Sequence, residues 1–396
     1  MKDNQFLLLF ILFSFYGYIS VISIYEKNPT KNFVQNDSLS SITLAFVGDL
    51  MCHTPQIKSS IDTNGQYNFN STFEYVRDFI SSADLAFGNL ETTIGDSVDR
   101  FTGYPRFRSP EKYLDGLVYA GFDFLFLANN HILDYGEKGI LKTINHLKQR
   151  GIGYTGAFES YKDFDSLRII EMNKIKLGLI AATFSTNGIP VPSGKKYLVN
   201  LINFDSLKSQ IHKLRNSGAD IIILNLHFGD EYSTEPNKYQ LQVVDSLINF
   251  GADIIIGNHP HVLQPMEIRR AVNSKIDSVM IAYSLGNFIS NQRKLLTASG
   301  AILFITIEKK FTTDEIKLKQ IKILPTYVYK GRINKKLQYK IIPLTQEHFI
   351  SDSLFADHTN QKNFHSAYEL AKKILLKNMN PPSSIVIENY SMSINE

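Results

Sequence analysis

The 396-residue sequence contains a single cysteine, Cys52, and no tryptophan. With one cysteine no internal disulfide can form, and a metal site must take its ligands from histidine, aspartate, glutamate and asparagine. The formal net charge is only +4, and lysine and arginine are spread along the chain instead of being gathered in blocks. This pattern does not indicate nucleic-acid binding, so we expect no nucleic-acid partner. The hydrophobic content of 43% is enough for a well-buried core in one large domain or two ordinary ones.

Charge is absent from residues 6–25, which read FLLLFILFSFYGYISVISIY. This run is long enough to cross a bilayer of roughly 30 Å as a helix. A cleaved signal peptide is the alternative, but its apolar region would normally be shorter and end in small residues, whereas this run continues into Tyr25, Glu26 and Lys27. We therefore predict one N-terminal transmembrane helix within residues 1–26, which anchors an extracytoplasmic domain at the cell membrane. The protein would be secreted if this segment were cleaved.

The remaining chain has the pattern of an α/β protein. Residues 27–41 are polar, as expected of a tether, and short apolar runs then alternate with amphipathic stretches. The predicted helices cover residues 71–82, 138–150, 204–217 and 239–250. This alternation predicts a main domain over residues 42–332. A looser, charged extension follows over residues 333–396, with one predicted helix over residues 366–376.

Polar side chains that can bind metal follow six of the apolar runs. The segments are GD with His53 behind it, GNLE, ANNH, HFGDE, GNHPH and SLGN. A single Asp or His after a strand is more often a helix N-cap or a loop residue. Ligands of α/β folds bind at the carboxyl ends of the strands, however, and so many such residues at one edge would be costly without a metal or substrate to neutralise them. The six segments together therefore predict a metal or substrate site.

These residue types suit two divalent cations. Two ions held roughly 3.5–4 Å apart can bind both the attacking and the leaving oxygen of a displacement. A bridging carboxylate keeps the ions close, imidazole nitrogens bind Mn, Fe or Zn, and an asparagine carbonyl completes a shell. For His259-Pro260-His261 we predict an extended backbone, held by the proline, that puts both rings on the same side.

The ordered motifs GD, NLE, NNH, HFGDEY, GNHPHVLQP and YSLGNF resemble those of the CapA family, which is associated with making or exporting poly-γ-glutamate capsule and is similar to calcineurin-like metallophosphoesterases. The resemblance covers residues 43–332. It implies a metallophosphoesterase-like β-sandwich flanked by helices, with two divalent metal ions of open identity. It also implies that His131 is a general acid beside the ligand Asn130 and that Glu91 bridges the ions. The other implied metal ligands are Asp49, His227, His259 and His261.

Two positions depart from the phosphoesterase pattern. His53 stands four residues after Asp49, where the phosphoesterases place a histidine two residues after the aspartate, so one metal position is expected to be weaker. Glu91 replaces the usual aspartate, and its longer side chain could change the metal spacing or make it a terminal ligand. Glu231, in the HxGxEY motif of the family, is expected near the site without an assigned role.

Other polar residues have simpler explanations. Arg108 could bind a substrate carboxylate or phosphate, but an arginine before a turn is more often solvated or paired. Asp134 and Gly136 fit an N-cap and a turn that open the following helix. Asn287 could contact substrate, although a Gly-Asn pair also suits a tight turn. Cys52 is expected to be a small buried apolar residue.

Two functions are compatible with these residues. The first is a metal-dependent hydrolase acting on a phosphoester, amide or ester of an anionic cell-surface polymer or its precursor. The second is a non-catalytic, membrane-tethered accessory subunit of a polyanion synthesis or export complex, partnered by membrane synthase or exporter subunits. His131 beside a predicted metal ligand favours the enzyme, because a structural metal site has no use for a general acid.

Overall fold

The computed structural model describes residues 38–345, residue 354 and residues 358–389. The anchor predicted within residues 1–26 and most of the predicted tether lie outside these ranges. Within them, no helix is both long and apolar enough to cross a membrane.

The described residues form short strands and helices in alternation. The strands are β1 (Leu39–Leu50), β2 (Leu85–Leu90), β3 (Thr93–Gly95), β4 (Arg108–Pro110), β5 (Phe124–Phe126), β6 (Gly153–Thr155), β7 (Ile169–Met172), β8 (Ile175–Thr183), β9 (Ile221–His227), β10 (Ile254–Asn258), β11 (Met266–Arg270), β12 (Ser278–Ala282), β13 (Asn287–Ile289), β14 (Ser299–Lys310), β15 (Glu315–Ile333), β16 (Lys336–Pro343) and β17 (Val386–Asn389). The helices are α1 (Thr54–Ser59), α2 (Asn70–Phe73), α3 (Arg77–Ser81), α4 (Lys112–Ala120), α5 (Gly136–Gln149), α6 (Tyr161–Asp165), α7 (Phe204–Asn216), α8 (Lys238–Phe250), α9 (Leu295–Ala298) and α10 (His358–Leu375).

Two large sheets contain most of the strands. The first has nine strands in the order β16-β15-β14-β1-β2-β5-β6, with β13 beside β1 and β17 beside β15. The second has six strands in the order β11-β12-β10-β9-β8-β7, and β3 and β4 form a small separate pair. Strands β1, β2 and β5 are mutually parallel, as are β8, β9 and β10. In each sheet the carboxyl ends of these strands therefore lie at one edge.

The two sheets pack face to face. Along β1, Leu44 and Phe46 are buried in a core that they share with residues of the second sheet such as Ile223. The alternate residues Ala45 and Val47 are buried against the helices on the outer face. Side chains alternate between the faces of a strand, so an apolar run such as β1 must be covered on both sides. The predicted mixed α/β fold is confirmed.

Helices cover the outer faces of the sheets. The helices predicted over residues 138–150, 204–217 and 239–250 correspond to α5, α7 and α8, whereas the stretch at residues 71–82 forms two short helices, α2 and α3. The bounds of α8 are set locally. The Asn237 side chain accepts a hydrogen bond from the Gln240 backbone while the Gln240 side chain accepts one from the Asn237 backbone, and a glycine with φ 102° ends the helix.

The strands continue past the domain boundary predicted at residue 332. β15 pairs along its end with β16, which buries Tyr339 and Ile341 against the core of the main domain. α10, which covers all but the last residue of the helix predicted over residues 366–376, buries Leu375 in the core shared by the two sheets, and β17 pairs with β15. At the other boundary, β1 begins inside the predicted tether. Much of the predicted C-terminal extension thus completes the sandwich.

Candidate metal centre

Two carboxylates lie at the carboxyl edge of the first sheet. Asp49 stands near the end of β1 and Glu91 directly after β2, and both are fully buried. A Cβ at Gly48 would lie 1.9 Å from the carbonyl oxygen of Gly286, so only glycine permits this close approach of two backbones. The Asp49 backbone N–H donates to the same carbonyl at 2.9 Å. Asn89 donates from Nδ2 to Asp49 Oδ1 at 2.8 Å, which holds the carboxylate in place.

The second sheet supplies three histidines to the same edge. His227 ends β9, and its Nε2 lies 3.0 Å from Asn130 Oδ1 and 3.1 Å from His259 Nδ1. His261 Nδ1 lies 3.0 Å from Asp49 Oδ2. The structure therefore brings the six predicted metal ligands together. We refer to them as the ligand cluster, which consists of Asp49, Glu91, Asn130, His227, His259 and His261.

Glu91 belongs to both halves of the ligand cluster. One group of potential ligand atoms combines Glu91 with His227 and His259. A second group combines it with Asp49 and His261, and within each group the atoms lie within 4.8 Å of one another. Glu91 Oε1 is 3.6 Å from His227 Nε2 and 3.9 Å from His261 Nε2. Glu91 is thus the potential ligand that the two groups have in common.

The Glu91 carboxylate is buried without a hydrogen-bond donor. No described residue donates a hydrogen bond to either oxygen, the neighbouring carboxylate of Asp49 could only accept one from a protonated Glu91, and the side chain is wholly excluded from solvent. Burial, together with the charge of Asp49, raises the pKa of Glu91 well above its usual range. A buried carboxylate without donors is costly unless a cation neutralises it. This unsatisfied acid beside several imidazoles is a donor set that fits divalent cations.

The histidines supply neutral nitrogen donors. Burial is the main reason that the pKa of His227 lies well below its usual range, and the neighbouring His259 and His261 lower it further. Burial, followed by the effect of His261, also lowers the pKa of His259 to about 4. The rings of His227 and His259 are therefore uncharged at neutral pH, and neutral imidazole is the form that binds divalent metals.

The prediction of an extended His259-Pro260-His261 backbone is wrong. His259 has φ 99° and His261 has φ 58°, so both adopt the left-handed region that favours glycine. Such a conformation costs on the order of 1–3 kcal/mol per residue and persists only where surrounding contacts hold it. Here the hydrogen bonds of the two rings to His227 and Asp49 do so. Both rings still reach the ligand cluster, with centroids 6.0 Å apart.

The prediction that Asp134 is a helix N-cap is also wrong, because Tyr135 occupies that position. The buried Asp134 instead accepts a hydrogen bond from the Phe107 backbone N–H at 2.6 Å, and its Oδ2 lies 2.8 Å from His131 Nδ1. His131 also packs edge-on against the Phe107 ring, with centroids 4.6 Å apart. Asp134 therefore orients the predicted general acid, while Gly136, with φ 61°, opens α5 as predicted.

Comparison with known proteins identifies the family to which this chain belongs. Residues 43–292 match the family model of the bacterial capsule synthesis protein PGA_cap. The chain belongs to this family. The capsule biosynthesis protein CapA of Bacillus anthracis is 28% identical over 279 residues, which cover 68% of this chain and 65% of the relative, just under two thirds of its length. The PGA biosynthesis protein CapA of Bacillus subtilis (strain 168) is 28% identical over 298 residues, which cover 72% of each chain.

Solved structures of two other proteins align with this PGA_cap chain. A phosphatase from Mycoplasma pneumoniae is 14% identical with a TM-score of 0.42, and the alignment covers 72% of this chain and 94% of that one. A calcineurin-like phosphoesterase from Bacillus subtilis is 13% identical with a TM-score of 0.40, covering 83% and 98%.

The PGA_cap match includes the whole ligand cluster and His131 but ends before β14. Two weaker candidates inside it have structural explanations. Arg108 pairs with Asp99 at 3.3 Å, and its guanidinium lies 3.9 Å from the centre of the Tyr135 ring, so it is paired as expected. Cys52 is fully buried, and burial raises the pKa of its thiol to about 12, so it remains a protonated, apolar side chain.

Three other residues lie around the ligand cluster. His53 is in neither group of potential ligand atoms, and its Nδ1 accepts a hydrogen bond from the Asn291 backbone N–H at 3.2 Å. Asn287 donates from Nδ2 to the His261 carbonyl at 3.2 Å, so it supports the strained histidine turn. Glu231 is exposed, and its charge raises the pKa of the buried Glu91 after the larger effects of burial and Asp49, so it lies close by.

Sequence reasoning missed the asparagines that organise this site. Besides Asn89, the fully buried Asn129 donates from Nδ2 to the Leu90 carbonyl at 2.7 Å and accepts from the His131 backbone N–H at 3.1 Å. Each of these asparagines interrupts or ends an apolar run. An amide buried in such a run must find hydrogen-bond partners, and that requirement was the signal that could have identified them.

Proposed function

We propose that this PGA_cap protein is a metal-dependent hydrolase that acts on a phosphoester, amide or ester bond of an anionic cell-surface polymer, such as poly-γ-glutamate, or of its precursor. The observation that carries the proposal is the buried Glu91 carboxylate, which two groups of potential ligands share and which has no hydrogen-bond donor among the described residues. The names of the Bacillus relatives, for capsule and PGA biosynthesis, support the polymer as the substrate class.

Two divalent cations, Mn, Fe or Zn, fit the donors of the ligand cluster. One would be held by Glu91, His227, His259 and Asn130, and the other by Glu91, Asp49 and His261. When bound, such ions act as Lewis acids and stabilise the negative charge that develops on the reacting oxygens. The strained histidine turn and its hydrogen bonds hold the imidazoles in position before an ion arrives.

His131 would supply the proton for the leaving group. An ionised carboxylate can only accept a hydrogen bond, so the Nδ1 atom of His131 carries a proton toward Asp134. To act as the acid, the ring must also carry a proton on Nε2; this proton passes to the leaving group, and Nδ1–H stays hydrogen-bonded to Asp134. Asp134 and the Phe107 ring together fix the orientation of the imidazole. General acid catalysis of this kind contributes about 100- to 10,000-fold to the rate.

The second candidate is a non-catalytic, membrane-tethered accessory subunit that binds the polymer for a synthase or exporter. The uncharged run at residues 6–25 supports a membrane anchor, which would hold the domain outside the cytoplasm beside such partners. The His131–Asp134 pair favours the enzyme, because a site that only binds metal or polymer does not need an oriented acid beside it.

Two substitutions separate these candidates. His131→Gln should leave the metal content and the fold intact and remove most turnover, because His131 is in neither group of potential ligands. His259→Ala should lower the metal content itself. The measurements are metal analysis by mass spectrometry and hydrolysis of model phosphoesters and γ-glutamyl amides. Equal loss of metal in both variants would make His131 a ligand or a structural residue, and bound metal without any turnover in the unmodified chain would favour the accessory subunit.

A further inference from the structure

Strands β15 and β16 project beyond the rest of the first sheet. β14 pairs with β15 only as far as Ser299 and Tyr327, whereas the pairing of β15 with β16 continues to Ile333 and Lys336. β1 and β15 are both antiparallel to β14 and so run in the same direction. The projecting hairpin therefore lies at the carboxyl edge of β1, where the ligand cluster is. We call residues 328–341 of this hairpin the basic arm.

The basic arm carries positive charge with little compensation. It contains no Asp or Glu, and its cationic residues are Lys330, Arg332, Lys335, Lys336 and Lys340. Within the described ranges, Lys340 is the one member of this set with an ion-pair partner, Glu74. Arg332, Lys335 and Lys336 are exposed. The net charge of the whole chain is small, so it does not indicate this local concentration of positive charge.

Hydrogen bonds connect the basic arm to the edge of the ligand cluster. Lys330 Nζ donates to Asn291 Oδ1 at 2.9 Å, and the Asn291 backbone N–H donates to His53 Nδ1 at 3.2 Å. His53 and the predicted acid His131 pack edge-on against the same ring, Phe107, with centroids 4.9 and 4.6 Å from it. Lys330 is thus connected through Asn291 and His53 to the Phe107 ring, against which His131 packs.

Arg293 places a second cation beside Lys330. Its guanidinium donates to the Val328 carbonyl at 3.2 Å, and neither Arg293 nor Lys330 forms an ion pair with any described carboxylate. Partial burial, followed by the charge of Arg293, lowers the pKa of Lys330. Two like charges held side by side without a described counter-charge make the local potential positive and so favour the binding of an anion.

We propose that the basic arm and Arg293 form a docking surface that guides an acidic polymer into the ligand cluster. This inference rests on the proposed function and names where its polymeric substrate binds. The two cations at the edge of the site are continued by the exposed cations along the arm. Such a row suits an extended chain with repeated negative charges better than a single compact anion.

An acidic polymer also fits the basic arm better than a single-stranded nucleic acid. Proteins that bind single strands combine positive charge with exposed aromatic rings on which bases stack. The basic arm has two tyrosines: Tyr339, whose ring lies 5.5 Å from Lys330 Nζ, is buried, and Tyr329 is half-buried, so neither offers a fully exposed ring.

Binding of fluorescently labelled poly-γ-glutamate to the full-length chain in detergent micelles tests this inference without relying on turnover. The double variant Lys330→Met and Arg293→Gln removes two cations at the edge of the site, and it should weaken binding about tenfold at low salt and reduce the salt dependence. The control variant Lys317→Gln and Lys319→Gln removes two cations at the opposite end of β15, and it should bind like the unmodified chain.

Equal affinities for the arm variant and the control would overturn the inference. It would also be overturned if labelled single-stranded DNA bound as tightly with the same dependence on the arm, or if that dependence appeared only with phosphatidylglycerol vesicles. Should the double variant fail to fold, Arg293→Gln alone changes an exposed side chain and should weaken binding about threefold. A chain without hydrolytic turnover whose polymer binding still depends on Lys330 and Arg293 would refute the hydrolase and retain the docking surface.

Discussion

Replacing Glu91 by glutamine should change the free energy of unfolding in opposite directions with and without metal. The substitution keeps the shape of the side chain and removes its charge. In the metal-free chain, Glu91 is fully buried near Asp49 and no described residue donates to either oxygen. A glutamine amide there could donate to Asp49 and would carry no charge. We therefore expect the free energy of unfolding of the metal-free chain to stay unchanged or to rise by up to about 3 kcal/mol.

Metal should reverse this effect. An ion present at about 1,000 times its dissociation constant stabilises the fold by about 4.1 kcal/mol. Loss of a ligand shared by both ions should weaken affinity at least about 100-fold, because even residues that only support ligands account for about 10- to 100-fold. The stabilisation then falls to about 1.4 kcal/mol. Glu91→Gln should thus lose about 2.7 kcal/mol of metal-dependent stability for each ion that it helps to hold.

Urea unfolding in EDTA and in excess Mn²⁺ or Zn²⁺, together with metal analysis, measures both effects. Glu267→Gln is the matched control, because it makes the same chemical change at a carboxylate that pairs with Arg269 at 2.6 Å. Glu267→Gln should lower the free energy of unfolding by the same amount with and without metal. A loss of more than about 1 kcal/mol in metal-free Glu91→Gln, or equal stabilisation of both variants by metal, would refute the reasoning.

Three further predictions concern the acid, the sandwich and the anchor. Asp134→Asn should keep the metal and the fold but lower kcat by about 100-fold or more, because the amide can hold the wrong tautomer of the acid, and an unchanged kcat would contradict the orienting role. Burial alone would raise the pKa of Asp220, but Lys309 and Lys275, at 2.8 and 2.9 Å, contribute to lowering it below its usual value. The stability that the ionised Asp220 contributes is therefore present above the unfolded-state pKa of about 3.9 and is lost as pH falls through the lower pKa of the folded state. Asp220→Asn should lower the free energy of unfolding in urea by about 1–3 kcal/mol at pH 7 and by much less near pH 3. Equal losses at both pH values would argue against this ion pair. A chain that starts at residue 32 should be soluble and folded because β1 begins after it; aggregation of the shortened chain, with the full chain well behaved in detergent, would count against that boundary.

The ligand cluster could be predicted because its signal is local. An apolar run that ends in Gly-Asp or Gly-Asn-His places a polar side chain at the carboxyl end of a strand, and parallel strands bring such ends to one edge. The amphipathic pattern that predicted a helix over residues 239–250 is equally local, and α8 covers Lys238–Phe250.

Other features could not be predicted because their partners are distant in the chain. Asp134 precedes a helix, as an N-cap would, and only the approach of the Phe107 backbone and the His131 ring gives it another role. The overall composition likewise does not indicate the local positive charge of the basic arm. The arm forms a surface beside the site only because β15 extends beyond the end of β14 and continues to pair with β16.

The sequence by itself determined the alternation of strands and helices, the residue types at the strand ends and their membership of one site. Those properties depend on hydrophobic periodicity and side-chain chemistry, which can be read along the chain. The family resemblance implied a bridging Glu91, but the tertiary structure alone decided that no described residue donates to it and that Asp49, His227 and His261 surround it. Desolvation and Coulomb energies depend on distances in space, so they arise only once remote segments have packed together.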